Sequence, residues 1–92
     1  MQNNSALFES LKGLDEEIDA AVAKGEAKLE ELVGEPLEHQ RCLLVDLDVV
    51  KHAAKDLEEE ILLFESMEDE RFDLFLVKIE ELRMAFKESM PG

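Results

Sequence analysis

Residues 43–64, LLVDLDVVKHAAKDLEEEILLF, fix most of what this chain can become. Leu47, Val50, Ala54, Leu57, Ile61 and Phe64 follow one another at steps of three, four, three, four and three. That spacing puts all six on one stripe of an α-helix, the stripe of a helix packed along another helix. Leu43, Leu44, Leu62 and Leu63 broaden the stripe at both ends. A strand would need alternation, and the run from Ala53 through Glu60 does not alternate. No glycine or proline interrupts the chain between Leu37 and Pro91.

The segments on either side supply partners for this stripe. Leu7, Leu11, Leu14, Ile18, Ala21 and Gly25 step by four, three, four, three and four, which predicts a first helix over about residues 5–33. Asn4 or Ser5 is expected to cap it through a side-chain oxygen, and residues 1–4 read as frayed. The small residues around 20–27 shave one side of this helix and would let a neighbour come close. The pair Gly34 and Pro36 then ends it, because glycine accepts the left-handed position past a helix end and proline cannot continue the ladder. A tight connection at 34–36 predicts an antiparallel hairpin with helix 2 over about 36–65. Folding at residue 35 sets residues 20–27 against 43–50, small side chains against bulky ones. Phe72, Phe75, Ile79, Leu82 and Phe86 form a third stripe, with a turn expected at 66–69 and helix 3 over about 69–89. Ser66 or Asp69 is its expected cap, in a capping-box-like arrangement. The expected fold is all-α: a long antiparallel hairpin plus a third helix, a coiled-coil-like three-helix bundle in one domain, completed by dimerisation because so short a chain buries only a modest core.

Charge narrows the partners. The 92 residues carry 24 acidic and 10 basic side chains, a net charge of −14, spread along the whole chain rather than gathered in a tail. Direct nucleic-acid or anionic-membrane binding needs a basic footprint that this chain lacks. A basic partner is favoured electrostatically. The single cysteine, Cys42, excludes an intramolecular disulfide. With no leader-like start and no apolar run of about 18 residues, the expected location is cytoplasmic.

A length mismatch gives the candidate site. With turns near 35 and 67, the third helix covers only part of the hairpin, and residues 26–44 lie beyond it. That half still carries Leu29, Leu32, Val33, Leu37, Leu43 and Leu44, more apolar surface than two helices can bury against each other. These six residues are the expected surface for a second copy or for a client helix. The expected function is therefore a non-enzymatic, chaperone- or adaptor-like protein–protein interaction module, with the acidic rim steering an amphipathic or basic segment. The alternative is an acidic inhibitor that blocks the basic surface of a nucleic-acid-binding protein, presenting Glu16, Asp19, Glu26 and Glu30 in place of phosphates.

No constellation points to catalysis, a cofactor or a metal. His39 and Cys42 share one helix face, but zinc needs three or four such ligands. His52 and Asp48, one turn apart, read as a surface pair. Residues 7–33 superficially resemble the first helix of all-α chorismate mutases. Those enzymes hold a dicarboxylate with several arginines and a lysine, whereas this segment offers Lys12, Lys24 and Lys28 and no arginine before Arg41. Residues 30–35 resemble the metal-binding Glu-Glu-x-x-Glu of all-α nucleotide pyrophosphohydrolases, but the spacing is one residue too long and Pro36 follows. The overall acidic, helical composition is similar to that of bacterial secretion chaperones, without a specific motif.

Overall fold

The structure, a computed structural model, describes residues 1–90. Three helices pack into an elongated bundle of 53 × 17 × 17 Å. In chain order the elements are β1 (Gln2–Asn3), α1 (Ser5–Leu29), α2 (Glu35–Leu62), β2 (Ser66–Met67) and α3 (Asp69–Ser89). The fold is all-α apart from the two short strands, and the three apolar stripes meet in one core. Leu7, Leu11, Leu14 and Ile18 come from α1; Leu47, Val50, Ala54, Leu57 and Ile61 from α2; Phe75, Ile79 and Phe86 from α3. Ala21, Phe64, Phe72 and Leu82 pack half-buried against them. The core of the described residues contains no polar or charged side chain.

The hairpin register is antiparallel about residue 35. Lys51 Nζ lies 2.7 Å from the Asp19 carboxylate, and buried Gly25 lies against Leu44 and Gln40. Gln40 Nε2 donates to the Gly25 carbonyl at 3.1 Å. A Cβ built on Gly25 would come within 2.9 Å of Leu44 Cδ2. The helices therefore touch most closely where α1 is smallest, and the bulk is supplied by α2.

The hairpin turn is longer than the sequence implied. α1 ends at Leu29, not 33, because its last turn tightens: Glu31 N–H donates to the Lys28 carbonyl and Leu32 N–H to the Leu29 carbonyl. The chain must still cross the roughly 8–10 Å between packed helix axes, and the residues up to Gly34 make that crossing. Gly34 serves α2 rather than α1. It is the N-cap, at φ 68° and ψ −142°, and its carbonyl accepts from Leu37 and Glu38. Pro36 sits in the first turn of α2, where a missing N–H costs nothing.

At the opposite end the first residues are not frayed. Gln2 and Asn3 pair antiparallel with Met67 and Ser66. Asn3 Oδ1, not a side chain of Asn4 or Ser5, accepts from the Ser5 N–H at 3.1 Å. Asn4 reaches across the bundle instead: its Nδ2 donates to the Phe64 carbonyl at 3.0 Å and its N–H to the Glu65 carbonyl at 3.2 Å. Those acceptors lie just past α2, which ends at Leu62 rather than 65. Ser66 is in β2, so it caps nothing; the N-cap of α3 is Glu68, with no side-chain cap bond. Asp69 and Glu70 still place negative charge in the first turn of α3, where the helix dipole favours it. Met67 is 2% exposed and plugs this end of the core. The Arg71 guanidinium lies 4.2 Å from the centre of the Phe64 ring, which in turn packs tilted against Phe75.

Three glycines in three settings give a graded test. At Gly13, open to solvent with nothing within 4 Å of a new Cβ, alanine is expected to stabilise by about 0.5–1 kcal/mol. At Gly25 the same change must push Leu44 and Gln40 aside, and no gain is expected. At Gly34 alanine must adopt a glycine-only backbone conformation, and a loss of about 1–3 kcal/mol is expected. Urea unfolding followed by circular dichroism measures all three.

Candidate functional site

The core stops before the hairpin does. Among the described residues, Gly25 on α1 and Leu47 on α2 are the last buried positions toward the turn. α3 ends at the same level: Met90, just past it, lines a shallow groove with Ala21, Gly25, Leu43 and Leu47. Beyond this point the hairpin is two helices and a turn. Leu29, Leu32, Leu37, Leu43 and Leu44 are half-buried, and Val33 at the turn is 81% exposed. Leu43 and Leu44 pack half-buried against the edge of the core; Leu29, Leu32, Val33 and Leu37, nearer the turn, lie beyond it.

On the side of the hairpin away from α3 the apolar surface continues along the helix seam. Val22, Leu44 and Val45 line an open groove of about 430 Å³, edged by Glu26, Asp48 and Lys51. Val45 and Val49 are each 62% exposed on α2. Residues of α1 and α2 alone line this groove, so both its floor and its acidic edge belong to the hairpin. The geometry is that of a shallow, greasy strip with carboxylates beside it, suited to the apolar face of another helix.

The four acids singled out, Glu16, Asp19 and Glu26 on α1 and Glu30 just past its end, are all exposed. They do not form one uniform set: Asp19 is ion-paired with Lys51, whose ammonium is held above its usual range by the hydrogen bond to Asp19. Glu26 edges the groove, while Glu16 and Glu30 face solvent elsewhere along the same flank. Further along the seam Asp15 is half-buried beside Phe8, Leu11, Lys12, Glu58 and Leu62. Desolvation, followed by the negative charges of Glu58 and Asp19, pushes its carboxyl above the ordinary 3.8; Lys51 and Lys55 oppose the shift. The hairpin register, in which partner numbers sum to about 70, sets residue 15 opposite Lys55; Glu58 stands about one turn further along α2, and its approach to Asp15 is visible only in the structure.

The remaining polar candidates lie on the surface. His39 and Cys42 are exposed. His52 Nδ1 lies 2.8 Å from the Asp48 carbonyl and 3.5 Å from its carboxylate, both on the exposed face of α2. Among the described residues, no group of three or more His, Cys, Asp or Glu is placed to hold a metal ion. Nor, among them, is any helix long and apolar enough to cross a membrane.

One surface went unread in the sequence. Leu74, Val77 and Met84 on α3 are each more than half exposed, yet they too recur at helical spacing. Their signal was hidden by the stronger core stripe of the same helix, which runs between them. No protein-family model, no curated protein and no solved structure matches this chain.

Asp15 gives a pH test. Its raised pKa means that the folded state binds this proton more tightly than the unfolded state does, so the ionised carboxylate works against folding at neutral pH. Asp15→Asn is therefore expected to raise the melting temperature at pH 7. The advantage should shrink as the pH falls through the raised pKa of Asp15 and vanish well below 3.8. Thermal melts by circular dichroism over this range check the sign.

Proposed function

We propose that this protein is a non-enzymatic helical interaction module that docks an amphipathic, basic helical segment of another protein on the apolar face of its hairpin, in the manner of a chaperone or adaptor. The observation that carries this reading is the early end of the core. Both hairpin helices run on past Gly25 and Leu47 with Leu29, Leu32, Leu37, Leu43 and Leu44 only half covered. Apolar surface of this extent on a small protein commonly marks a place where something else packs. A client helix could lay leucine-like side chains at i, i+3, i+4 and i+7 along the seam over Val22, Leu44 and Val45. Glu26 and Asp48 beside that seam, and the net charge of −14, would draw in lysine and arginine on its flanks. The competing idea, a surface of carboxylates standing in for phosphates, is weakened at Asp19, whose charge is already met by Lys51.

Apolar docking and simple charge attraction can be separated with one variant. Leu29→Glu combined with Leu32→Glu removes apolar surface while making the protein more acidic. Titration calorimetry with an 18-residue leucine–lysine amphipathic peptide would read the difference. Wild type is expected to bind, and the double variant to bind at least tenfold more weakly with its helicity unchanged. Equal or tighter binding by the variant would leave only charge attraction and remove the support for a docking face.

A further inference from the structure

On the α3 side, the hairpin tip differs in charge from the rest of this acidic chain. The shallow groove just past α3, about 210 Å³, is lined by Ala21, Gly25, Leu43, Leu47 and Met90, with Lys24 and Lys28 beside them and no carboxylate. The grooves elsewhere along the bundle all carry carboxylates, Glu26 and Asp48 among them. Lys24 and Lys28 are exposed and, among the described residues, form no ion pair. A basic segment drawn to Glu26 and Asp48 on the opposite face is repelled here. This ledge fits an occupant that brings carboxylates and an apolar knob, and the chain's own tip has both. Val33, 81% exposed at the turn, stands between Glu31 and Glu35. We infer that two copies lap tip over tip, antiparallel, each tip resting on the lysine-lined ledge of the other and seating its Val33 in the groove there.

The charges of the tip are self-complementary in one direction only. Lys24, Lys28, Glu31 and Glu35 follow one another at steps of four, three and four, two positive charges and then two negative. Laid antiparallel on a copy of itself, this strip meets its complement at every position. Lys28 falls opposite Glu31 of the second copy and Lys24 opposite its Glu35, and the two-fold axis repeats both pairs. A parallel pair would set lysine on lysine and glutamate on glutamate. The antiparallel register also brings Val33 of each copy to the level of Gly25 in the other, which is the level of the groove.

Lengths agree with the lap. α3 stops level with Gly25 and Leu47, and from Leu47 back to its start at Glu35 the α2 arm runs about 18 Å. A tip that covers this ledge comes to rest against the end of α3 of the second copy. Over the overlap two arms of one copy lie on two arms of the other, so each tip gains the packing layer it lacks. An overlap of about 18 Å across a bundle 17 Å wide buries on the order of 1,000 Å² counting both copies, the low end for a specific interface. The charge of −14 on each copy opposes it. The dimer is accordingly weak and concentration-dependent, and its two-fold contact closes at two copies. The seam over Val22, Leu44 and Val45 lies on the opposite face and stays open, so the lap and a client occupy separate surfaces.

The test is absolute mass by light scattering with refractive-index detection, across protein concentration at about 0.15 M salt. Wild-type mass is expected to rise with concentration toward twice the monomer and no further. Lys24→Glu with Lys28→Glu, and separately Glu31→Lys with Glu35→Lys, change exposed side chains only. Each double variant turns every attraction across the lap into a repulsion and should be a folded monomer by circular dichroism. Mixed in equal amounts, the two variants regain every attraction and should associate at least tenfold more tightly than either does alone. Both remain acidic overall, so association confined to the mixture reads the local pairs and not the net charge. Val33→Asp, at the exposed turn, should weaken the wild-type dimer at least tenfold with helicity unchanged. A wild type that stays monomeric at every concentration, a dimer that survives Lys24→Glu with Lys28→Glu, or a mixture no heavier than its separate components would overturn the lap.

Discussion

A helix of 21 residues is about 31 Å long, and it lies against a hairpin whose arms have 25 and 28 residues. Three-helix packing must therefore end before the hairpin does. At the closed end, where β1, β2 and Met67 seal the bundle, every apolar stripe has two neighbours to pack on. The core there is wholly apolar among the described residues. At the other end each hairpin helix has one neighbour only. A leucine on a two-helix seam keeps a large part of its surface in water, which is why Leu29, Leu32 and Leu37 stay half-covered however well the arms pack, while Leu43 and Leu44 sit at the edge of the core.

The two ends are also held by different means. The closed end is tied by backbone and amide bonds between segments far apart in the chain, chiefly from Asn4 to the carbonyls of Phe64 and Glu65. These bonds turn the chain between α2 and α3 where the sequence has neither glycine nor proline. The open end depends on local chemistry: Gly34 in a backbone conformation reserved for glycine, Pro36 in the first turn of α2, and the close approach at Gly25. Surface ion pairs such as Lys51–Asp19 and Arg83–Glu17 run between helices and hold their relative positions. Exposed as they are, they contribute little stability. Burial of the three stripes holds the bundle together, and its free energy is concentrated in the closed half.

The stripes were legible in the sequence because a helix that packs on one side must repeat near every 3.6 residues. The antiparallel register followed from the position of one turn, and it brings Asp19 to Lys51 and Gly25 to Leu44. The candidate surface at the hairpin tip was legible for a simpler reason: it is the remainder when helix lengths are compared. Interactions that depend on tertiary neighbours were not legible. Gln2 and Asn3 have no strand pattern, and they pair because the chain past α2 offers an edge there. Asn4 does stand at the N-cap of α1, but its side chain makes no cap bond and its Nδ2 donates to the Phe64 carbonyl across the bundle. The early end of α1 reflects the distance between helix axes, which no residue in the sequence states. The outer seam of α3 was masked because helical periodicity reports the strongest stripe first.

Native-state hydrogen exchange at low protein concentration tests the uneven bundle most directly, since it reads stability residue by residue. Amides of residues 10–18 and 50–61, beneath the three-helix core, should exchange slowest, through global unfolding. Amides of residues 22–29 and 37–44 should exchange much faster, through local opening of the uncovered hairpin. Equal protection along both arms would contradict it, because a tip as stable as the core would have to be covered by something other than its two helices.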